Sequence, residues 1–446
     1  MRRFAAGVLA FRDPVGLLER TGREGDLVEL TRGKRPVFVV TSPDLAREVL
    51  ETKADVFLKA AGSERLERVM GDGLQLSEDP HHAAQRGLMD RAFDHDHVVP
   101  YAEAVWWSAE RILAGWRPGR VIEVVGEMRA ITTGAVLRAL FADANGAEVD
   151  RLTGDVTTVA SGLWKALAPG AAGVKRALLP GFGRFGRALD SIDEYVAGAI
   201  RRRRSGEVGG HDLLGAMLAA RPATGSGATA GPEGVPPGSG GMSDREARDE
   251  VISLLLAGRG TITAGLGWMW RELGRNPEVE RRLHAEVDGV LEGGRSPAVA
   301  DIGRLPFTRA AWDEALRVLP PSWVLRRKAA RASELGGRAV PEGSTVLVNV
   351  IGIHRDAARY PEPGVFDPGR FLEGGRDPVP FDYLPFGAGP RGCIGFHFAT
   401  MEAVLLIAGI AARWRLEPVD PDAELEFARS ITLRSKRPIR MRLSAR

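Results

Sequence analysis

The 446-residue sequence contains one cysteine, Cys393, and its surroundings decide what that thiol is for. A lone cysteine is usually a small buried hydrophobe. Here Phe386, Gly387, Gly389, Arg391, Cys393 and Gly395 fit F-G-x-G-x-R-x-C-x-G inside the stretch from Phe381 to Glu402. Six fixed positions at ordinary residue frequencies coincide in a chain this long on the order of once in 100,000 sequences. Each residue type has a physical task. Glycines let the backbone approach a flat ring with no Cβ in the way. A sulfur just ahead of a helix meets unpaired N–H groups and the positive dipole end, which favour thiolate over thiol. Arg391, two residues away, can donate to a carboxylate on the ring's edge. Gly387, Gly389 and Gly392 also spell G-x-G-x-x-G, but Pro385 and Pro390 flank them and no βαβ unit surrounds them, which excludes a dinucleotide loop.

Other constellations lie upstream. Glu314 and Arg317 are three apart in a helical pattern and share a face. Such pairs are commonly solvated salt bridges; this one gains weight from Pro368-Gly369-Arg370-Phe371, which offers the same carboxylate a second arginine. His82 and Arg86 stand four apart, with His81, His95 and His97 close by in sequence. That crowd gives no clean tetrahedral ligand set. A long apolar pattern carries Ala257-Gly258-Arg259-Gly260-Thr261. Gly258 and Gly260 each weaken a helix by about 1 kcal/mol relative to Ala, which eases a local bulge or water insertion. Thr261 alone would be a helix hydroxyl bonding back to a carbonyl.

Taken together, the cysteine loop, E-x-x-R, P-x-R-F and the A-G-x-x-T helix, in this order and at these distances, resemble a cytochrome P450 over essentially the whole chain. The resemblance implies a mainly α fold with a small β region, haem b (iron protoporphyrin IX), and Cys393 as the axial thiolate that favours O–O cleavage. It implies that Glu314, Arg317 and Arg370 support folding and haem retention. It also implies that His82, Arg86, Arg327 and Arg391 meet haem propionates, with Phe386 and Gly395 completing the haem-binding loop. Thr261 is then expected to face oxygen. The family pattern carries an acid directly before this threonine, and here Gly260 replaces it. Proton delivery is therefore expected to run through water near Gly260 and Thr261 or a polar group of the substrate. The alternative is a peroxide-driven enzyme in which Arg259 holds a substrate carboxylate, although Arg259 is rotated away from the lost acid.

The elements that must position these groups are legible in outline. Leu27–Leu30 and Val37–Val40 read as strands around an Arg32-Gly33-Lys34 turn. From Pro43 to about residue 220 the pattern is mostly helical, and the Pro-, Gly-, Ser- and Thr-rich run at 221–241 reads as a flexible loop inside one domain spanning 1–446. Ser243 and Glu246 form a capping-box pattern. The long central helix they open is expected to run over about 243–273, roughly 46 Å at about 1.5 Å per residue, and to stop at Gly274 and Pro277. Arg259 and the glycines argue against a membrane span. Helical patterns follow over 278–319, then a strand at Ser344–Val350, a helix over Phe396–Trp414, and strands near Ile431–Leu433 and Ile439–Leu443.

Composition bounds the function. The small net charge of +3 gives no nucleic-acid signature, and Arg201–Arg204 read as cations closing a helix at its negative end. One cysteine excludes an intramolecular disulfide and suits a reducing, cytoplasmic setting. Phe4–Phe11 is too short for a transmembrane segment. Leu163, Trp164, Val324, Leu325 and Ile431 are expected to line an apolar pocket, with the 60–74 and 169–182 segments and Ser322–Leu325 beside it. A lipophilic substrate such as a terpenoid or polyketide follows. The expected activity is O2-dependent hydroxylation or epoxidation by a soluble bacterial-type monooxygenase of secondary metabolism. Electrons are expected from a separate ferredoxin and ferredoxin reductase, docking over Cys393 with Arg86 and Arg91 nearby. A peroxygenase, a haem-thiolate isomerase or lyase, and a non-catalytic haem-binding protein are the alternatives.

Overall fold

The computed structural model describes residues 13–31, 35–59, 64–167, 182–209, 211–220, 241–375, 379–428, 430 and 432–446. The expected turn at 32–34, the 169–181 segment, the 221–240 part of the loop, Ile431 and the Trp164 side chain lie outside this description. The chain divides into two compact units. One comprises Met1–Ala60, Gly115–Met128 and Thr261–Arg446; the other comprises Ala61–Ala114 and Arg129–Gly260.

The first unit carries the strands. These are β1 (Leu27–Thr31), β2 (Val37–Val40), β3 (Phe57–Leu58), β4 (Val121–Glu123) and β5 (Leu325–Ala329). After them come β6 (Ser333–Leu335), β7 (Arg338–Val340), β8 (Thr345–Val348), β9 (Trp414–Pro418) and β10 (Arg440–Ala445). The largest sheet has the order β1-β2-β8-β5-β3, with β2 and β8 parallel and the other pairs antiparallel. Valine-rich β2 and β8 form its middle, where branched side chains suit a covered pleat. Phe38, Val40, Val346 and Val348 join Leu50, Phe57 and Leu384 in one buried cluster. A second sheet, β4-β10-β9, closes the C-terminus.

Two sequence expectations need correction here. Among the described residues of the expected 431–433 strand, Leu433 pairs outside any ladder: its N–H donates to Pro321 O at 2.9 Å and its carbonyl accepts from Trp268 Nε1 at 3.2 Å. Those partners use the groups a ladder would need. The helix from Phe396 ends at Ala411, and Trp414 belongs to β9.

The central helix spans Asp244–Arg275, running from the second unit into the first. Its capping box is formed: Ser243 N–H donates to Glu246 Oε2 at 2.8 Å, and Glu246 N–H donates to Ser243 Oγ at 3.3 Å. Gly274 does not end it. A Cβ at that position would lie 2.6 Å from Pro418 Cγ, so the glycine permits close approach of β9 and the helix continues to Arg275. This helix is long and apolar enough to cross a membrane, yet 67% of its most apolar window is buried inside the protein, as expected of a core helix.

The second unit is helical, with long helices Gly146–Leu167 and Phe182–Arg204. Arg202 and Arg203 at the end of the latter pair with Asp143 at 2.9 and 2.7 Å, buried Arg203 also pairs with Asp212, and Arg204 pairs with Asp244 at 3.2 Å. These cations are committed to internal carboxylates.

Candidate functional site

The cysteine loop is built in the first unit from short backbone bonds. Gly387 N–H donates to Leu384 O at 3.1 Å, Gly392 N–H to Gly389 O at 2.9 Å, and Cys393 N–H to Phe386 O at 2.8 Å. Gly389 has φ of +69°, and a Cβ there would lie 2.0 Å from Leu50 O, so only glycine lets the loop rest on that carbonyl. From behind, Leu384 N–H donates to His354 Nε2 at 2.7 Å and Tyr360 OH donates to Asp382 O at 3.1 Å. Gly395 then caps the buried Phe396–Ala411 helix, and Phe386 meets Phe396 edge-on at 4.9 Å. The outcome is an exposed Cys393 on a fixed loop directly ahead of a helix. A Cβ on Gly395 would approach Sγ to 3.9 Å, so glycine keeps one side of the sulfur uncrowded. Arg391 sits half-buried on the 3-10 turn Gly389–Arg391.

Arg327 points inward from β5 and is buried, with Nη1 donating to Arg326 O at 3.0 Å. Arg317 and Glu314 have fully buried side chains and meet twice, at 2.6 and 2.7 Å. Arg317 also donates to the carbonyls of His354, Pro363 and Val365. Arg370 completes the group at 3.6 Å from Glu314 Oε1, an ion-pair separation rather than a hydrogen bond. The structure thus brings Glu314, Arg317 and Arg370 together.

On the central helix, Thr261 is exposed although Ile262 to Trp270 that follow it are buried. A Cβ on Gly260 would have nothing within 4 Å. Arg259 is buried and donates from Nη1 to Val156 O at 3.0 Å. In the second unit His82 is buried with Nδ1 3.4 Å from Asp79 Oδ1, and Arg86 pairs with Asp90 one turn on.

Haem fits this donor set. Among the described residues no group of three or more His, Cys, Asp or Glu is arranged to hold a metal ion, so a metal on Cys393 has to bring its other ligands with it, as iron porphyrin does. The accessible sulfur, with glycines on both sides of it in sequence, suits the close face of a flat ring.

Several groups escaped sequence reasoning. Glu402 is buried with Oε1 unpartnered, and burial pushes its carboxyl well above the usual range. Its signal was available: it is the one carboxylate in an otherwise apolar helix. His354 was legible only as one histidine near a strand. Asp249 and Glu250 lie in the second turn of the central helix, and both are buried.

The comparisons agree with this geometry. The family model for cytochrome P450 matches residues 17–441. Cyclooctatin synthase from Streptomyces melanosporofaciens is 36% identical over 416 residues, covering 92% of this chain and 87% of that protein. Cyclooctat-9-en-7-ol 5-monooxygenase from the same organism is 34% identical over 92% of this chain and 86% of its own length. Pentalenene oxygenase from Streptomyces avermitilis is 31% identical over 98% and 94%. Among solved structures, the cytochrome P450 CYP102L1 aligns with a TM-score of 0.82 at 26% identity, covering 98% of this chain and 95% of that one. With a matched region of this extent around an accessible, glycine-flanked thiol, the chain belongs to the cytochrome P450 family.

Proposed function

We propose that this P450 monooxygenase binds haem b through Cys393 and hydroxylates or epoxidises a terpenoid in secondary metabolism. The observation that carries the reading is the exposed Cys393 sulfur on a loop fixed by Gly389, His354 and Tyr360. The substrate class rests on relatives named for cyclooctatin, cyclooctat-9-en-7-ol and pentalenene. Arg391, Arg327, His82 and Arg86 are the proposed propionate partners, with Phe386 and Gly395 shaping the loop under the ring. Residues 1–446 act as one catalytic domain, in the cytoplasm, with electrons from a separate ferredoxin and its reductase.

When bound, the haem supplies O2 activation, with the thiolate favouring O–O cleavage. The reaction consumes one O2, two electrons and two protons, placing one oxygen atom in product and the other in water. The chain would hold the sulfur on its fixed loop, Arg391, Arg327, His82 and Arg86 would neutralise the ring's carboxylates, and the Thr261 hydroxyl would hydrogen-bond a proton-carrying water. The space beside Gly260 is open, which leaves room for that water.

The peroxide-driven reading required Arg259 to hold a substrate carboxylate. Its bond to Val156 O supports a packing role instead. Turnover of cyclooctat-9-en-7-ol and pentalenene, with products identified by mass spectrometry, tests the choice. Oxygenated product is expected with O2 and a reduced ferredoxin. Efficient product formation from H2O2 alone, with none from the reductase system, would overturn it.

A further inference from the structure

Within the second unit, the segment 71–77 is neither helix nor strand; turn bonds to Gly73 O close its second half, and side chains hold its first. Asp72 N–H donates to Asp249 Oδ2 at 3.0 Å and Leu74 N–H donates to Glu250 Oε1 at 2.9 Å. From the other side Gln85 Nε2 donates to Asp72 O at 2.7 Å, and Ser77 Oγ donates to Gln85 Oε1 at 2.6 Å. Two glycines make the approach possible. Gly71 has φ of +68° and its Cβ would overlap the Asp249 carboxylate, while a Cβ on Gly73 would lie 2.4 Å from Ser253 Oγ. Adjacent residues of one helix therefore grip alternate N–H groups of one loop.

The two prongs differ electrically. Asp249 is paired with Arg248 at 2.8 Å, and Arg248 is shared with Asp193 of the Phe182–Arg204 helix. Glu250 is fully buried, and among the described residues it pairs with no cation, its Oε2 has no partner, and neither does Ser253 Oγ one turn along. The charged groups acting on Glu250 are Asp249 and Glu246 on its own helix and Asp72 on the segment, where His81 stands 3.6 Å from Asp72. Glu246 is already engaged by Ser243. An ionised carboxylate here would accept one N–H where it has about four acceptor sites, beside three other carboxylates. Burial, and to a lesser degree those neighbours, push the Glu250 carboxyl up to about 8 against the pull of the Leu74 N–H.

We propose that Glu250 is a positioning residue for the substrate site: its neutral carboxyl pins Leu74 and the 71–77 segment, and ionisation releases them. The released carboxylate gains the water it lacks only if the segment moves off the helix. This deepens the function proposed above, since it rests on the reading that the chain up to Leu74 faces substrate. Oxidation would then weaken above neutral pH through substrate binding, with the oxygen chemistry unaltered.

Hydrogen exchange on the substrate-free holoenzyme tests the clip directly. Protection of the Asp72 and Leu74 amides, corrected for intrinsic exchange, is expected to fall about tenfold per pH unit from 6 to 8, the signature of one proton. In Glu250→Gln it is expected to be flat and to match the native protein below about pH 4.5, where Glu250 is neutral whether the clip is closed or open. No slope in the native protein, or the same slope in Glu250→Gln, overturns the clip. The second arm titrates cyclooctat-9-en-7-ol and pentalenene, read as a Soret shift. The Kd is expected to rise with pH in the native enzyme and to stay constant in Glu250→Gln. A Kd that ignores pH while exchange responds overturns the positioning role. If neither compound shifts the Soret band at any pH, the terpenoid reading fails, and the exchange arm still decides the clip.

Discussion

Two glycines near the proposed haem site differ in what a side chain would meet. At Gly389 a Cβ would collide with Leu50 O, and the positive φ disfavours any L residue. Gly389→Ala is therefore expected to cost about 2 kcal/mol or more in chemical denaturation and to lower haem content per chain. At Gly260 the space is open. Gly260→Asp restores the family's acid beside Thr261 and is expected to change stability by less than about 1 kcal/mol. Its product yield per electron pair is expected to rise, measured as product formed against NADPH consumed. An unchanged yield would mean that water already delivers protons efficiently past Gly260.

At the scale of elements, the Glu314–Arg317 pair ties the Pro306–Val318 helix to the chain around His354, Pro363 and Val365. Removing Glu314 strands a guanidinium with no exposure to solvent. Glu314→Ala is expected to cost about 3–5 kcal/mol, the usual result of orphaning a buried charge. Arg370 is 3.6 Å away and its Nε makes no hydrogen bond. Arg370→Ala is expected to cost less than Glu314→Ala, because Arg317 still satisfies the Glu314 carboxylate when Arg370 is gone. Equal losses in urea titrations of the two variants would contradict this ranking. The sequence showed both motifs but not their unequal strength, because i,i+3 spacing says which side chains meet and nothing about the dielectric around them.

For the whole molecule, pH acts with opposite sign on two buried groups, His354 in the first unit and Glu250 in the second. Burial, and secondarily the charge on Arg317, push His354 down to about 3, so the first unit keeps it neutral. The unfolded chain takes up that proton below about 6.5, so this contribution is complete above 6.5 and lost toward pH 3, at about 1.4 kcal/mol per unit. His284, pushed down to about 4 mainly by burial, adds to the same window. Glu250 acts the other way in the second unit: its contribution is complete below about 4.5 and lost as pH rises to about 8. Hydrogen exchange resolved by region is expected to show the chain around His354 loosening on acidification and the 71–77 segment against Glu250 loosening on alkalisation. A uniform response would contradict the assignment. If the proposed ferredoxin is the electron donor, reduction is expected to speed up at low salt and to slow in Arg91→Glu, whose native side chain is exposed; stopped-flow reduction rates check both.

The cysteine loop, the capping box at Ser243 and the valine-rich strands β2 and β8 were legible because each depends on local chemistry: glycine's freedom, a side-chain oxygen reaching its own turn, branched residues on a pleat. Strand β5 was not legible. Leu325-Arg326-Arg327-Lys328-Ala329 shows no apolar alternation, and it is a strand because β8 and β3 flank it and turn Arg327 inward. Gly274 looked like a stop and is a contact with Pro418, which lies 144 residues further along the chain. What the sequence alone determined was the family and the loop that carries the Cys393 thiol, since a tight loop of fixed residue types encodes its own geometry. Burial was decided only by the tertiary structure. It made Glu250, Glu402 and His354 more than polar residues in unremarkable stretches, because the cost of a charge depends on the chain packed around it.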